Sequence, residues 1–393
     1  MLHWPLIAIC SVAQPPQLVA TAEIAWDARD RSGLESPILP GVPHDLLGSF
    51  GSGICRLEEP NLFAAVADRG PLDGATTYRC RVHVLRITLA EPLAGGSPAR
   101  LRVELVETRL LADEALRPCI GFSQAYAPDD QSRSARLDPE AVAATPAGTL
   151  LIADEYGPFI DEYSMLGARL RRILPPPAFR IASPDGAPEF ELPPHNTSGR
   201  QPNRGFEALA VSPDGSTAWA LPQSPLIQDN ALDASNKRVG INVRVLEQDL
   251  KSPGTRERVY QLHSPKHGIS EALWVAPAKL LVLERDGHAA HEATFRRVYL
   301  ADFAGATDVS TIAALPSTDL PPGIVPAKTR LVLDLCDPAY GLAGAAMPEK
   351  IEGLCFGPDL SDGRPTLLVS TDNDLRPGEP TRLWLFACDP TQF

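Results

Sequence analysis

The sequence predicts an all-β protein that folds as a single β-propeller of five or six four-stranded blades. Two observations lead to this prediction. A hairpin-like unit recurs five times, and forty prolines and 29 glycines divide the chain into short apolar runs that are typical of strands. With 393 residues, 44% of them hydrophobic, the chain can bury the core of one large all-β domain.

The recurring unit has the pattern of a β-hairpin. Each copy runs from an acid and a small residue to Leu, Val or Ile, continues with a few alternating positions, turns at Pro, Asp or Gly, and ends in a second apolar run followed by polar residues. The SPDG turn at 212–215 has a proline and a glycine where a tight turn needs them. The five copies begin near residues 52, 140, 207, 271 and 352.

The spacing of the copies favours a propeller over other repeat folds. Copies lie 64 to 88 residues apart, which leaves room for two more strands and a long loop after each hairpin. A sixth, divergent blade would fit in the gaps at 80–135 or 287–350. Solenoid repeats are shorter, and β-sandwiches do not repeat one motif five times.

Composition excludes one class of partner and favours another. The net charge of -13 and the pI near 5.1 repel phosphate backbones, so we expect no nucleic-acid partner, whereas an acidic protein attracts cations. The seven cysteines form no CxxC pair. Scattered buried thiols are the favoured interpretation, and one or two disulfides, such as Cys80 with Cys119, are the alternative.

The N-terminus resembles a signal peptide. LIAICSVA at 6–13 is a short apolar core, and Ala20-Thr21-Ala22 is a small-residue cleavage site. We therefore divide the chain into a signal peptide at 1–22 and a propeller at 23–393, and favour a periplasmic or extracellular location over the cytoplasm. An ordinary first strand is the alternative. No later segment is apolar over the length that spans a bilayer, so we expect no integral membrane segment.

Hairpin geometry predicts that acidic residues converge at one end of the central channel. The start of the first strand lies beside the end of the second, so Glu140 should lie near Asp154 and Glu155. Because blades present equivalent edges to the channel, the other copies should add their residues there. Those residues are Ser52 with Asp68 and Arg69, Glu207 with Gln223, Glu271 with Glu284 to Asp286, and Glu352 with Asp372 to Asp374.

Clustered carboxylates need cations or shifted pKa values. Oxygen ligands alone suit calcium or magnesium, and calcium is the favoured divalent metal. Arginines accompany the acids, so a network of Glu and Arg that locks the blades together is the alternative, and both interpretations stay open. The candidate metal ligands are Asp68, Glu140, Asp154, Glu155, Glu207 and Asp372.

Motifs in order along residues 50–375 resemble the phytase-like propeller family known as "esterase-like activity of phytase". The resemblance implies an exported β-propeller that hydrolyses ester or phosphate-ester bonds, with a divalent metal. Its acidic face would also include Glu284, Asp286 and Asp374, while Ser52 departs from the acid of the other copies. The motifs are ADRGP (67–71), DPEAVA (138–143), ADEYGPFI (153–160), NRGFEALAVSPDGSTAWALPQSPL (203–226), VLERD (282–286), RVYLADFAGATDVS (297–310), KIEGL (350–354) and STDND (370–374).

Two functional hypotheses follow. In the first, Glu140, Glu207 and Asp154 hold calcium, Arg204 or Arg69 holds a small anionic or ester substrate, and Glu271 or Glu352 acts as general base. In the second, the propeller is a non-catalytic scaffold that binds a ligand or a protein, and its acids and arginines only fix the blades. The sequence does not choose between phosphate and carboxylic esters, and it identifies no protein partner.

Overall fold

A computed structural model describes residues 14–90, 98–123, 135–181 and 190–393. The apolar core of the predicted signal peptide, residues 6–13, lies outside the described residues. Within these ranges, strands dominate, and every helix is a single 3-10 turn, too short to cross a membrane. The 3-10 turns are Pro177–Phe179, Ile227–Asp229, Ala290–Glu292, Pro338–Tyr340 and Pro390–Gln392.

The strands form five four-stranded antiparallel blades, in each of which the first strand is the innermost. The fifth blade takes its outer strand from the start of the chain. In blade order, the strands are β2 (Gly53–Arg56), β3 (Leu62–Val66), β4 (Arg81–Leu89) and β5 (Ala99–Leu110); β6 (Pro139–Ala144), β7 (Thr149–Asp154), β8 (Phe159–Ser164) and β9 (Arg169–Ile173); β10 (Phe206–Val211), β11 (Thr217–Pro222), β12 (Asn242–Asp249) and β13 (Thr255–Gln261); β14 (Gly268–Ala276), β15 (Lys279–Arg285), β16 (Arg296–Asp302) and β17 (Lys328–Asp334); and β18 (Ile351–Phe356), β19 (Thr366–Thr371), β20 (Thr381–Ala387) and β1 (Gln17–Ile24).

The five innermost strands close a ring. Each contacts the next, from β2 through β6, β10 and β14 to β18, and β18 returns to β2. A closed ring of radial sheets is a β-propeller, so the predicted fold is confirmed and the blade number is five. The gaps at 80–135 and 287–350 supply outer strands and loops in their described parts.

Hydrophobic packing between blades explains why the strands read as nearly continuous apolar runs. Successive side chains of a strand point to opposite faces, and each blade is covered on both faces by its neighbours. In β15, Leu280 and Val282 pack toward the third blade, whereas Leu281 and Leu283 pack toward the fifth. Similar clusters fill the other three blade interfaces, and the described cysteines are free thiols, as favoured from the sequence.

Strand β1 closes the ring by joining the first and last blades. It pairs antiparallel with β20 along its length, and Ala20 and Thr21 also pair parallel with Ala99 and Arg100 of β5. Ala20 is fully buried in the cluster between these blades. The predicted cleavage site at Ala20 to Ala22 therefore lies within a paired strand, and cleavage there stays a prediction.

Removing β1 is expected to weaken the whole ring. A chain beginning at Glu23 should melt roughly 10 °C below a chain beginning at Gln14, because it exposes the edge of β20 and the apolar surface under Ala20. Thermal unfolding of the two purified chains checks this. Equal melting temperatures would show that β1 does not hold the first and last blades together.

Candidate functional site

The site is built from two backbone positions that recur in every blade at the same end of the channel. The first is a β-bulge near the start of the innermost strand in blades two to five, seen for example between Pro139 and Ala141 and between Phe206 and Ala208. The second lies at or just after the end of the second strand. The bulge residues are Glu140, Glu207, Ser270 and Glu352, Ser52 lies just before β2 in the first blade, and the strand-end residues are Asp68, Glu155, Gln223, Arg285 and Asp372.

Six of these ten residues line a polar cavity of about 380 Å³, namely Glu140, Glu155, Glu207, Gln223, Arg285 and Glu352. Loops preceding the innermost strands add further charged side chains to the wall. The predicted convergence is thus found for Glu140, Glu155, Glu207 and Glu352 together with Arg69 and Arg204. The other charged lining residues are Asp73, Arg238, Lys266, Arg285, Asp286, Glu349, Lys350, Asp374 and Arg376.

Glu271 does not join this group, which corrects the sequence alignment. The motif SEAL at 270–273 matches FEAL at 206–209 in sequence. In the strand register, however, Ser270 occupies the bulge position in its blade that Glu207 occupies in the third blade. β14 contains a second irregularity between Trp274 and Ala276, and the extra residue shifts Glu271 by one position. A one-residue shift turns a side chain to a different part of the structure, so Glu271 lines another cavity.

The carboxylates of three other predicted acids are engaged by backbone groups or by other side chains. Asp154 accepts hydrogen bonds from the backbone N–H groups of Asp138 and Gly157. Glu284 accepts from the Tyr260 hydroxyl and the His263 backbone. Asp286 lies at the cavity wall, where its carboxylate pairs with Arg296.

Arg69 links the first and second blades. Its guanidinium lies 2.7 Å from Asp138 and 3.3 Å from Glu155, and its backbone N–H also donates to Asp138. Burial would lower the pKa of Arg69, but these carboxylates outweigh burial and raise the pKa well above its ordinary value. The sequence indicated Arg69 but missed Asp138, whose only signal was an acid two residues before the repeated glutamate.

Lys350 links the fifth and first blades, and sequence reasoning missed its role. Its ammonium lies 2.5 Å from Asp374, 3.2 Å from Asp372 and 3.7 Å from Asp68. The lysine precedes Glu352 by two residues, as Asp138 precedes Glu140, so a charge at this position of the repeat was the available signal. The ammonium already neutralises the carboxylates that were predicted to hold metal there.

Arg285 links the fourth and fifth blades. It donates to the Glu352 carboxylate at 2.5 Å and to the Ser270 hydroxyl at 2.9 Å. The other Glu352 oxygen, Oε2, is buried and has no hydrogen-bond partner among the described residues. Burial raises the pKa of Glu352, although Lys350 and Arg285 oppose the shift.

Between the second and third blades, no cation of the described residues pairs with the repeated glutamates in this way. Among the described residues, neither Glu140 nor Glu207 forms an ion pair, and Glu207 Oε2 is buried with no hydrogen-bond partner, while Oε1 accepts from Gln223 at 2.5 Å. Burial, and then the neighbouring carboxylates, raise the pKa values of both glutamates well above their ordinary range. Burial likewise raises the pKa of Glu155 to about 7.

Two arginines at the cavity wall lack a carboxylate partner within the described chain. Arg204 donates to the Ser224 hydroxyl at 3.0 Å. Neither Arg204 nor Arg238 forms an ion pair with a described residue. Burial, and then the charge of Arg238, lower the pKa of Arg204 to about 10. The cavity therefore presents unpaired carboxylates and unpaired guanidinium groups side by side.

The residues between the second and third blades fit a hard divalent cation. Ligand oxygens of Asp138, Glu140 and Glu155 lie within 4.8 Å of one another, and the orphaned Oε2 of Glu207 faces the same cavity. Carboxylate oxygens without histidine or cysteine suit calcium or magnesium. The group of Asp68, Asp372 and Asp374 has matching oxygens, but Lys350 already supplies its positive charge.

Without divalent cations, stability is expected to fall as pH rises. The Glu155 carboxyl binds its proton more tightly in the folded chain, with a pKa of about 7 against 4.5 ordinarily. Its contribution is complete below pH 4.5 and is lost toward pH 7, and Glu140 and Glu207 act in the same direction. Urea unfolding in chelator should show a free energy of unfolding lower by about 2 kcal/mol at pH 8 than at pH 5. A flat or rising profile would contradict the raised pKa values of these acids.

The chain is similar to known proteins in sequence and in structure. An uncharacterized secreted protein of Arthroderma benhamiae is 27% identical over 359 residues, covering 74% of this chain and 69% of its own. Among solved structures, a GH43 β-1,3-galactosidase aligns with 95% of this chain and 97% of its own at 10% identity and a TM-score of 0.44. The β-propeller domain of Myceliophteria thermophila Cps50 aligns with 83% of this chain and 66% of its own at 10% identity and a TM-score of 0.32.

One family model matches most of the chain. It covers residues 46–375, from the start of the first blade through Lys350, Asp372 and Asp374 of the fifth. The match therefore includes both repeated positions that form the cavity. The chain belongs to the phytase-like family described as "esterase-like activity of phytase".

Proposed function

We propose that this protein is a divalent-cation-assisted hydrolase of small anionic esters, acting in the polar cavity at one end of the channel. One observation carries the proposal: unpaired carboxylates and unpaired guanidinium groups line the same cavity. Carboxylates in that state attract a cation, and guanidinium groups attract an anion. Phosphate monoesters satisfy both, so we favour them over carboxylic esters.

The cation would be held by Glu140, Glu155 and Glu207, with Asp138 beside them. A bound divalent cation polarises an ester oxygen and lowers the pKa of water. Arg69 holds Asp138 and Glu155 in place, so its role is to position ligands.

The remaining chemistry belongs to Arg204 and Glu352. Arg204 faces the cavity without a carboxylate partner and would bind the substrate anion. Glu352 has one oxygen fixed by Arg285 and one without a partner among the described residues, and its raised pKa makes its carboxylate a stronger base toward water. Glu271 lines a different cavity, and we assign it no step in this reaction.

Blade locking alone does not account for the site. Cations join blades one and two, four and five, and five and one, through Arg69, Arg285 and Lys350. Glu140 and Glu207 lie where the second and third blades meet, and no such cation joins them within the described residues. A scaffold that only needed locks would gain nothing from carboxylates that raise one another's pKa values.

The proposal is tested by measuring phosphate release from a panel of phosphomonoesters, including phytate, in calcium and in chelator. A carboxylic ester such as nitrophenyl acetate is assayed in parallel. We expect calcium-dependent phosphate release. Release of carboxylic acid alone would reassign the substrate class, and absence of both activities would favour the non-catalytic binding propeller.

We also propose that the protein is exported. The basis is the apolar segment at 6–13, and the related fungal protein that is described as secreted. Mass spectrometry of the N-terminus, after expression of the full chain in a secreting host, tests this. Retention of the intact chain inside the cell would contradict export.

A further inference from the structure

A second cavity, of about 490 Å³, lies at the other end of the channel. Four of the five innermost strands, β6, β10, β14 and β18, contribute a residue near their start to the polar cavity, and later residues of all five line this second one. Its wall is mainly apolar and includes Ile54, Val142, Leu209, Trp274 and Leu354. An apolar cavity with very few polar groups is the usual form of a small-molecule site.

One carboxyl group enters this apolar wall. Glu271 is only 1% exposed, and its Oε1 accepts from the backbone N–H groups of Ala272 at 2.9 Å and Leu209 at 3.2 Å. Its Oε2 is buried and has no hydrogen-bond partner in the described chain. A buried polar atom in this state is costly unless a ligand or water satisfies it.

Arg56 and the two thiols in this wall are not available to bind a charged ligand group, which leaves Glu271 as the residue that would recognise one. Arg56 is neutralised by Asp359, with contacts of 2.9 and 2.7 Å, so it is not available to an anion. Burial raises the pKa of the Cys55 thiol to about 12 and that of Cys355 well above its ordinary value, so both stay neutral. A ligand that matches this wall is apolar and carries one group that complements a carboxyl.

We propose that this cavity is a binding site for a small apolar amine, whose nitrogen pairs with Glu271 Oε2. An amine suits the carboxyl in either protonation state. If Oε2 carries the proton, a neutral amine accepts it and becomes an ammonium, which then donates to the carboxylate. An alcohol lacks the charge, and a carboxylate forms no ion pair with Glu271 in either protonation state.

The test measures binding by calorimetry for three probes that share one apolar body: phenylbutylamine, phenylbutanol and phenylbutyrate. The amine should bind about tenfold or more tightly than the other two. Glu271→Gln should remove this preference. Ala144→Trp, which fills the cavity without altering Glu271, should weaken the binding of the amine and the alcohol alike.

Glu207→Gln is the matched control, because it removes a carboxylate from the polar cavity and leaves the apolar one intact. Amine binding should be unchanged in this variant, whether or not the protein proves to be a hydrolase. Equal affinities for the three probes, no binding, or an amine preference that survives Glu271→Gln would overturn the proposal. If Glu271→Gln does not fold, amine binding that stays as tight in Ala144→Trp as in the wild type would overturn it equally.

Discussion

Glu207→Gln is expected to lower kcat/KM for the ester substrate by at least about 100-fold and to leave the protein folded. The substitution keeps the oxygen that accepts from Gln223 but removes the charge that faces the cavity. The raised pKa of Glu207 shows that its ionised form is disfavoured, so the neutral amide relieves repulsion. In chelator at pH 8, its melting temperature should therefore equal or exceed that of the wild type.

A second buried glutamate of the same blade provides the control. Glu257 accepts from Arg244 at 2.7 Å, far from the polar cavity, so Glu257→Gln breaks an ion pair. That variant should lose stability and keep its activity. If Glu207→Gln instead lowers the melting temperature while turnover is unchanged, the carboxylate is structural. Glu207 would then not be a ligand of a catalytic metal.

Calcium provides an independent measure of the same carboxylate. The wild type should gain thermal stability when calcium is added, because ligand binding to the folded state shifts unfolding. Glu207→Gln should lose most of this gain, and Glu257→Gln should retain it. Loss of activity without loss of the calcium effect would show that Glu207 contacts the substrate and does not bind the metal.

Local rules predicted the blades and part of the cavity. Hairpin geometry requires that the start of one strand lie beside the end of the next, so the proximity of Glu140 to Glu155 could be predicted from one copy of the repeat. Propeller symmetry then brought Glu207 and Glu352 to the same end of the channel. Both steps use only sequence spacing and the regular geometry of strands.

The residues that could not be predicted depend on single-residue shifts or on contacts between blades. A bulge changes the facing of Glu271 without changing the sequence pattern around it. The partners of Lys350 come from two blades that meet only when the ring closes. The strand that completes the fifth blade lies at the opposite end of the chain, where its sequence also resembles a signal peptide.

Lys350→Met is expected to cause the largest loss of stability, on the order of 3–5 kcal/mol in chelator at pH 7. The Lys350 side chain is 21% exposed and its ammonium serves three carboxylates, so its removal leaves Asp68, Asp372 and Asp374 close together without a cation. Methionine preserves the length and the apolar stem of the side chain. The free energy of unfolding from urea titration measures the effect.

Lys266→Met is the matched control, because Lys266 lines the same cavity and forms no ion pair among the described residues. Its loss should cost less than about 1 kcal/mol.

Because the three aspartates are oxygen ligands within 4.8 Å of one another, calcium should restore much of the stability of Lys350→Met. Recovery would show that the lysine takes the place of a metal at this blade interface. A loss of stability that calcium does not reverse would show that the three aspartates fit an ammonium and not a metal. A loss of stability no larger than that of Lys266→Met would show that Lys350 does not contribute to the closure of the ring.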